Sequence, residues 1–161
     1  MRDRYGGGRM TSGGYRRRTS PAAAGPPAAT PPGAWEIVFD GGALGNPGKG
    51  YGSYQITAPD GTVTRERLDF GDGVTNNQAE YRTLIAALER LGAVLGEDAR
   101  AATVTVRGDS QLVLYQIRGT WKVKNEGLRP YHRLAVGLVS RFGRVDLVWH
   151  ARRNSVAVLG H

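Results

Sequence analysis

The sequence predicts an α/β fold: a five-stranded mixed sheet, three antiparallel strands followed by two parallel ones, with helices packed on both faces. Two observations carry this. Residues 35–70 hold three β-patterned runs in succession, divided by Gly, Pro and Asp-Gly turn signals, which reads as an antiparallel meander. From residue 75 onward helical and strand patterns alternate, the order that covers both faces of a mixed sheet. No internal repeat is present. A chain of 161 residues has room for one domain of ordinary size with a sizeable core.

Each element has its own signal. Ile37-Val38-Phe39 is an apolar β-rich run with Asp40 at or near its end, and Gly45-Asn46-Pro47-Gly48 marks the turn. Tyr51 to Ile56 resumes a strand pattern. Asp60-Gly61 is a second turn signal, and Thr62 to Phe70 reads as a third strand, partly facing solvent. Thr75 or Asn76 can cap a helix whose apolar face is Ala79, Leu84, Ala87, Leu88 and Leu91, with Gly92 as its expected end. Ala102 to Asp109 is a strand ending in an acid. Gln111 to Ile117 is a short helix stopped by Gly119. Leu128 to Phe142 is a helix with Leu134, Leu138 and Val139 at core spacing, and Val145 to His150 is the last strand. A short segment from Arg152 follows.

Residues 1–34 stand apart from residues 35–161, which hold the domain. The first part is Gly, Pro, Ala, Ser and Thr with almost nothing to bury, so it is expected to be disordered, with Pro21 to Pro32 as a semi-extended linker. Of the net charge of +8, six arginines against one aspartate put +5 in this tail; the remaining 16 basic and 13 acidic residues give +3. Arg, Gly and Tyr interleave at Arg4 to Arg9 and Gly13 to Arg18, a composition suited to loose nucleic-acid contact through charge and stacking. A solubilising tail is the plainer alternative. The absence of cysteine excludes disulfides and thiolate zinc sites and fits a reducing compartment. No apolar run approaches the roughly 18 residues of a membrane span, and no secretory h-region is present, so the cytoplasm is the expected location.

The chemistry lies in three acids: Asp40 and Asp109 at strand ends and Glu80 near a helix start. Singly, each reads equally well as a turn or surface residue. Together, neighbouring strands can gather them, and clustered carboxylates repel unless cations neutralise them. Oxygen-only ligands suit Mg²⁺ or Mn²⁺. Two such ions about 4 Å apart can activate water and stabilise the leaving oxygen of a phosphodiester.

Three ordered blocks, Phe39-Asp40-Gly41-Gly42 with Gly45-Asn46-Pro47-Gly48, then Thr75 to Tyr81, then Gly108 to Val113, resemble the signature blocks of type 1 ribonuclease H. Gly119 to Asn125 is similar to the compact bacterial and archaeal branch, which lacks the longer basic handle. The resemblance spans roughly residues 35–155. It implies a ribonuclease H-like fold and an endonuclease that cleaves the RNA strand of RNA·DNA hybrids with two Mg²⁺ or Mn²⁺ ions. It implies that Asp40, Glu80 and Asp109 are metal-binding carboxylates and that Asn46, Asn76, Asn77 and Gln111 are substrate-contacting amides. An amide can both donate and accept, as 2′-hydroxyls and minor-groove edges require. Thr75 matches a position near a phosphate of the DNA strand, and Trp121, Lys122 and Lys124 are candidate backbone contacts. Helix capping by the asparagines and core packing of Trp121 are the structural alternatives.

One departure stands out. The family places a fourth carboxylate after the last strand, whereas this chain has no Asp or Glu beyond Asp146, which sits at the wrong end of that strand. His161 is the expected substitute, as a metal ligand or proton carrier through its imidazole, or through the terminal carboxylate. A frayed terminus with no role is the alternative. Asn154 is a poor ligand for a hard cation, and His150 reads as a strand-end histidine. An imidazole at this site favours Mn²⁺ over Mg²⁺. The expected protein is therefore a monomeric hybrid-cleaving nuclease. A binding module that keeps the amides and lacks turnover is the alternative from another class.

Overall fold

The computed structural model describes residues 29–160; most of the basic tail, residues 1–28, and His161 lie outside the described residues. The strands are β1 (Trp35–Gly45), β2 (Gly48–Thr57), β3 (Val63–Val74), β4 (Thr103–Gly108) and β5 (Arg144–Trp149). The helices are α1 (Asn76–Leu95), α2 (Gln111–Arg118), α3 (Arg129–Val139) and α4 (Arg152–Leu159). The sheet order is β3-β2-β1-β4-β5. β1–β2 and β2–β3 pair antiparallel, while β1–β4 and β4–β5 pair parallel. The expected mixed sheet is the observed one.

Alternation along the strands sets which helix covers which face. Ile37, Phe39, Tyr54 and Ile56 are buried with Tyr81, Leu84, Leu88 and Leu91 of α1, and Val104 and Val106 continue that layer across β4. Ser53 points the other way. Leu159 of α4 lines a small cavity with Ser53 and Arg67, so α4 covers the opposite face.

Glycines determine how closely α1 approaches the sheet. A Cβ on Gly41 would lie 2.6 Å from the Ala79 carbonyl oxygen, and one on Gly52 would lie 1.8 Å from the Thr83 hydroxyl. Thr83 is itself tied to α1, its hydroxyl donating to the Ala79 carbonyl at 2.7 Å. The first turns of α1 therefore lie directly on bare strand backbone.

Four expectations need correction. β1 does not end near Asp40 but runs to Gly45, because the glycines after Asp40 pair with β2 in an unbroken register, Asp40 opposite Ser53 and Gly45 opposite Gly48. Gly92 does not end α1. The helix continues to Leu95 and stops at Gly96, whose φ of 55° suits glycine; an interior glycine costs only about 1 kcal/mol. Leu134 is 47% exposed: the buried face of α3 is Ala135 and Leu138, continued by Leu128 and Phe142 outside the helix, which leaves Leu134 on the shoulder. Trp121 is not a core residue; it is 45% exposed, with its ring edge-on to Tyr115 at 5.0 Å. The terminal segment, read without a type, is the helix α4.

Gly41→Ala should destabilise the domain by about 1–3 kcal/mol, because the new methyl meets backbone that cannot step aside. Gly137→Ala, at a helical position with open space around it, should instead stabilise by up to about 1 kcal/mol. Urea unfolding of the two variants checks the opposite signs.

Candidate active site

The three acids meet where the parallel part of the sheet ends. β1 and β4 are paired only as far as Val38 and Arg107; β4 then stops at Gly108 while β1 continues with β2 alone. Asp40 lies just past that point on β1, and Asp109 is the first residue after β4. The carboxyl ends of parallel strands are where open α/β sheets place their ligands.

The two strand-end acids, Asp40 and Asp109, are each flanked by a glycine with a steric task. Gly41 lets the backbone at Ala79 and Glu80 rest on the strand beside Asp40. Gly108 leaves room for the Phe39 ring, whose Cε1 would be 2.6 Å from a Cβ there. One oxygen from each of Asp40, Glu80 and Asp109 lies within 4.8 Å of the other two.

The neighbouring backbone is well held. His150 N–H donates to the Gly108 carbonyl at 2.9 Å, and the Trp149 indole donates to the Asp109 carbonyl at 3.2 Å. His150 Nε2 lies 2.8 Å from the Ser155 hydroxyl, which pins the start of α4 to the end of β5. Burial pushes the His150 imidazole below its ordinary range, the Asp109 charge working the other way. His150 is thus a buried clasp.

The carboxylates are electrostatically strained. Burial pushes the Glu80 carboxyl up from 4.5 to about 8; a hydrogen bond from Ser110 opposes the rise, Asp109 and Asp40 add to it, and Arg152 opposes it. Desolvation and two like charges outweigh one hydroxyl and one exposed cation. Ser110 also caps α2, accepting from Val113 N–H. The Arg152 guanidinium reaches into the cluster, Nη1 lying 3.4 Å from Asp109 and 3.9 Å from Asp40.

Residues 39–159 match the family described as "Reverse transcriptase-like". The chain is 33% identical to the crystal structure of RNase H1 from the halophilic archaeon Halobacterium salinarum, covering 79% of this chain and 94% of that one with a TM-score of 0.69. The chain belongs to the type 1 ribonuclease H family. Ribonuclease HI of Halobacterium salinarum is 43% identical over 110 residues, 68% of this chain and 53% of the relative. The bifunctional protein Rv2228c of Mycobacterium tuberculosis is 42% identical over 126 residues, 75% of this chain and 32% of the relative. The chain thus spans about a third to a half of the length of these relatives. LC11-RNase H1, solved in complex with an RNA/DNA hybrid, is 31% identical, covering 76% of this chain and 89% of that one at a TM-score of 0.69.

Two of the amide residues, Asn46 and Asn76, sit on one rim. Asn46 lies in the β1–β2 turn and its Oδ1 accepts from Asn76 N–H at 3.1 Å; Asn76 Oδ1 in turn accepts from Ala43 N–H at 2.8 Å. The two therefore join the hairpin to α1, and both side chains are exposed. Thr75 caps α1 in a reciprocal capping box with Gln78. Asn77 is half-buried in the first turn of α1, and Gln111 is exposed at the first position of α2. Lys122 is exposed, its carbonyl accepting from Gln116 Nε2 at 3.1 Å, while Gln116 Oε1 accepts from the Tyr81 hydroxyl at 2.7 Å. That buried relay fixes the connection carrying Trp121 and Lys122. Two residues of the site have little local signal in the sequence: Ser110 has only the cap preference of serine, and Arg152 has none.

Glu80 makes stability depend on pH. Between 4.5 and about 8 the folded chain keeps a proton on Glu80 that the unfolded chain has released. Its stabilising contribution is whole below that window and is lost as pH rises through it. Glu80→Gln should flatten the decline. Urea unfolding in a chelating buffer across these values measures it, and an unchanged slope would place the proton elsewhere.

Proposed function

We propose that this chain is an endonuclease that hydrolyses the RNA strand of RNA·DNA hybrids. The carrying observation is the convergence of Asp40, Glu80 and Asp109 within 4.8 Å beside the exposed Asn46–Asn76 rim. An all-carboxylate cluster fits hard divalent cations, and we assign it two Mg²⁺ or Mn²⁺ ions. Bound there, such ions supply charge to a phosphodiester and lower the pKa of an attacking water. Asp40, the most buried of the three acids, would hold them together with Glu80 and Asp109. Asn46, Asn76, Asn77 and Gln111 bind the minor groove, Thr75 lies by a DNA-strand phosphate, and Trp121 and Lys122 hold the backbone. The LC11-RNase H1 complex with an RNA/DNA hybrid supports this choice of substrate.

His161 is our choice for the fourth position. What supports it is the sequence: no Asp or Glu follows Asp146, and an imidazole can bind a metal ion or carry a proton. The basic tail adds loose contact with the hybrid, and the protein acts as a cytoplasmic monomer. Among the described residues no helix is long and apolar enough to cross a membrane.

A labelled hybrid incubated with Mg²⁺ or Mn²⁺ tests the reading; binding without cleavage in either metal would leave only a binding module. Asp109→Asn should abolish cleavage and spare hybrid binding. His161→Ala should slow turnover and shift the metal optimum, and an unchanged profile would make it a bystander. Deleting residues 1–34 should weaken hybrid affinity and flatten its salt dependence, because fewer counterions are released; equal slopes would reduce the tail to a spacer.

A further inference from the structure

We propose that Arg152 is a built-in counter-cation of the acid triad, which neutralises Asp40 and Asp109 and competes with divalent cations for their oxygens. It rests on the reading of the triad as a cation site. One guanidinium nitrogen, Nη1, approaches both acids, at 3.4 Å from Asp109 Oδ2 and 3.9 Å from Asp40 Oδ1. A metal ion held by the same two oxygens would meet that nitrogen at close range and be repelled by it. Either the ion or the guanidinium can hold the pair, so metal binding requires the arginine to swing outward.

The local structure permits that swing. The Arg152 side chain is 63% exposed, whereas those of Asp40 and Asp109 are 2% and 9% exposed. The acids are fixed and the cation is the movable part. The helix supplies no reason of its own for an arginine here. α4 opens with Arg152 and Arg153, has no acid in its first turn and no side-chain cap, and so sets cations at the positive end of its dipole. The two aspartates provide the negative charge that position lacks. His150 and Ser155 hold the helix start in place, so the side chain can leave the triad without moving the backbone.

The consequence is that Arg152 sets metal affinity. The test is Mn²⁺ binding to the full chain without nucleic acid, read from the free-ion paramagnetic resonance signal. Arg152→Gln should bind Mn²⁺ roughly five- to tenfold more tightly than the wild type, a typical coupling between two ligands of one site. Arg152→Lys keeps the charge and should stay close to the wild type. Arg153→Gln removes the same charge one residue away, at a side chain exposed to solvent, and should change little. In a chelating buffer Arg152→Gln should melt lower than the wild type, and its rise on adding Mn²⁺ should be larger. Mere anchoring of α4 would also lower stability, but with the opposite sign in Mn²⁺ affinity, which would fall with it. Wild-type or weaker affinity in Arg152→Gln overturns the proposal, as does equal tightening in Arg153→Gln. Absence of Mn²⁺ binding in every variant would instead overturn the cation site itself.

Discussion

The structure depends on one steric concession: α1 lies on the sheet at a distance only glycine allows. Gly41 and Gly52 present bare backbone to Ala79 and Thr83, and the Thr83 hydroxyl turns back onto its own helix rather than into the strand. The apolar layer of Phe39, Tyr54, Tyr81 and Leu84 can then close. The same approach sets Glu80 beside Asp40. Packing and chemistry thus share a cause, because the contact that seals the core also assembles two of the three acids.

That assembly is opposed by electrostatics. Carboxylates so near one another are held there by packing, by the bonds that His150 N–H and the Trp149 indole donate to the strand-end carbonyls, by a hydrogen bond from Ser110 and by partial neutralisation through Arg152. Burial, with Asp109 and Asp40 adding to it, still pushes the Glu80 carboxyl up. Such strain is expected of a site arranged to receive positive charge, and the rest of the fold has to outweigh it.

Much of this was legible in the residues. Alternating apolar runs gave the strands, and Thr75 and Gly119 marked helix ends by their chemistry. The three acids could be picked out because each stands in an ordered block, with amides in all three and glycines beside Asp40 and Asp109. What misled were residues whose meaning depends on distant neighbours. The glycines after Asp40 look like a turn, yet they extend β1 because β2 lies beside them through Gly48. Gly92 looks like a stop, yet α1 continues past it beneath the ring of Phe142. Trp121 and Leu134 are large and apolar, yet each faces water. Arg152 was one arginine among several; only the folding of α4 across β1 and β2 brings it to Asp40 and Asp109, and no local pattern encodes that meeting.

The interlocked asparagines carry a consequence for selectivity. Asn46 and Asn76 each commit one acceptor site of the carbonyl oxygen to a backbone N–H of the protein, so what they offer a duplex most freely is the amide NH₂, a donor. The minor groove shows an acceptor at every base pair, whatever its identity, while the donor that marks guanine calls for an acceptor in reply. With half of that acceptor capacity committed, a hybrid lying along this rim would be gripped mainly through acceptors that every base pair presents. Indifference to base order would then follow from how the hairpin is fastened to its helix.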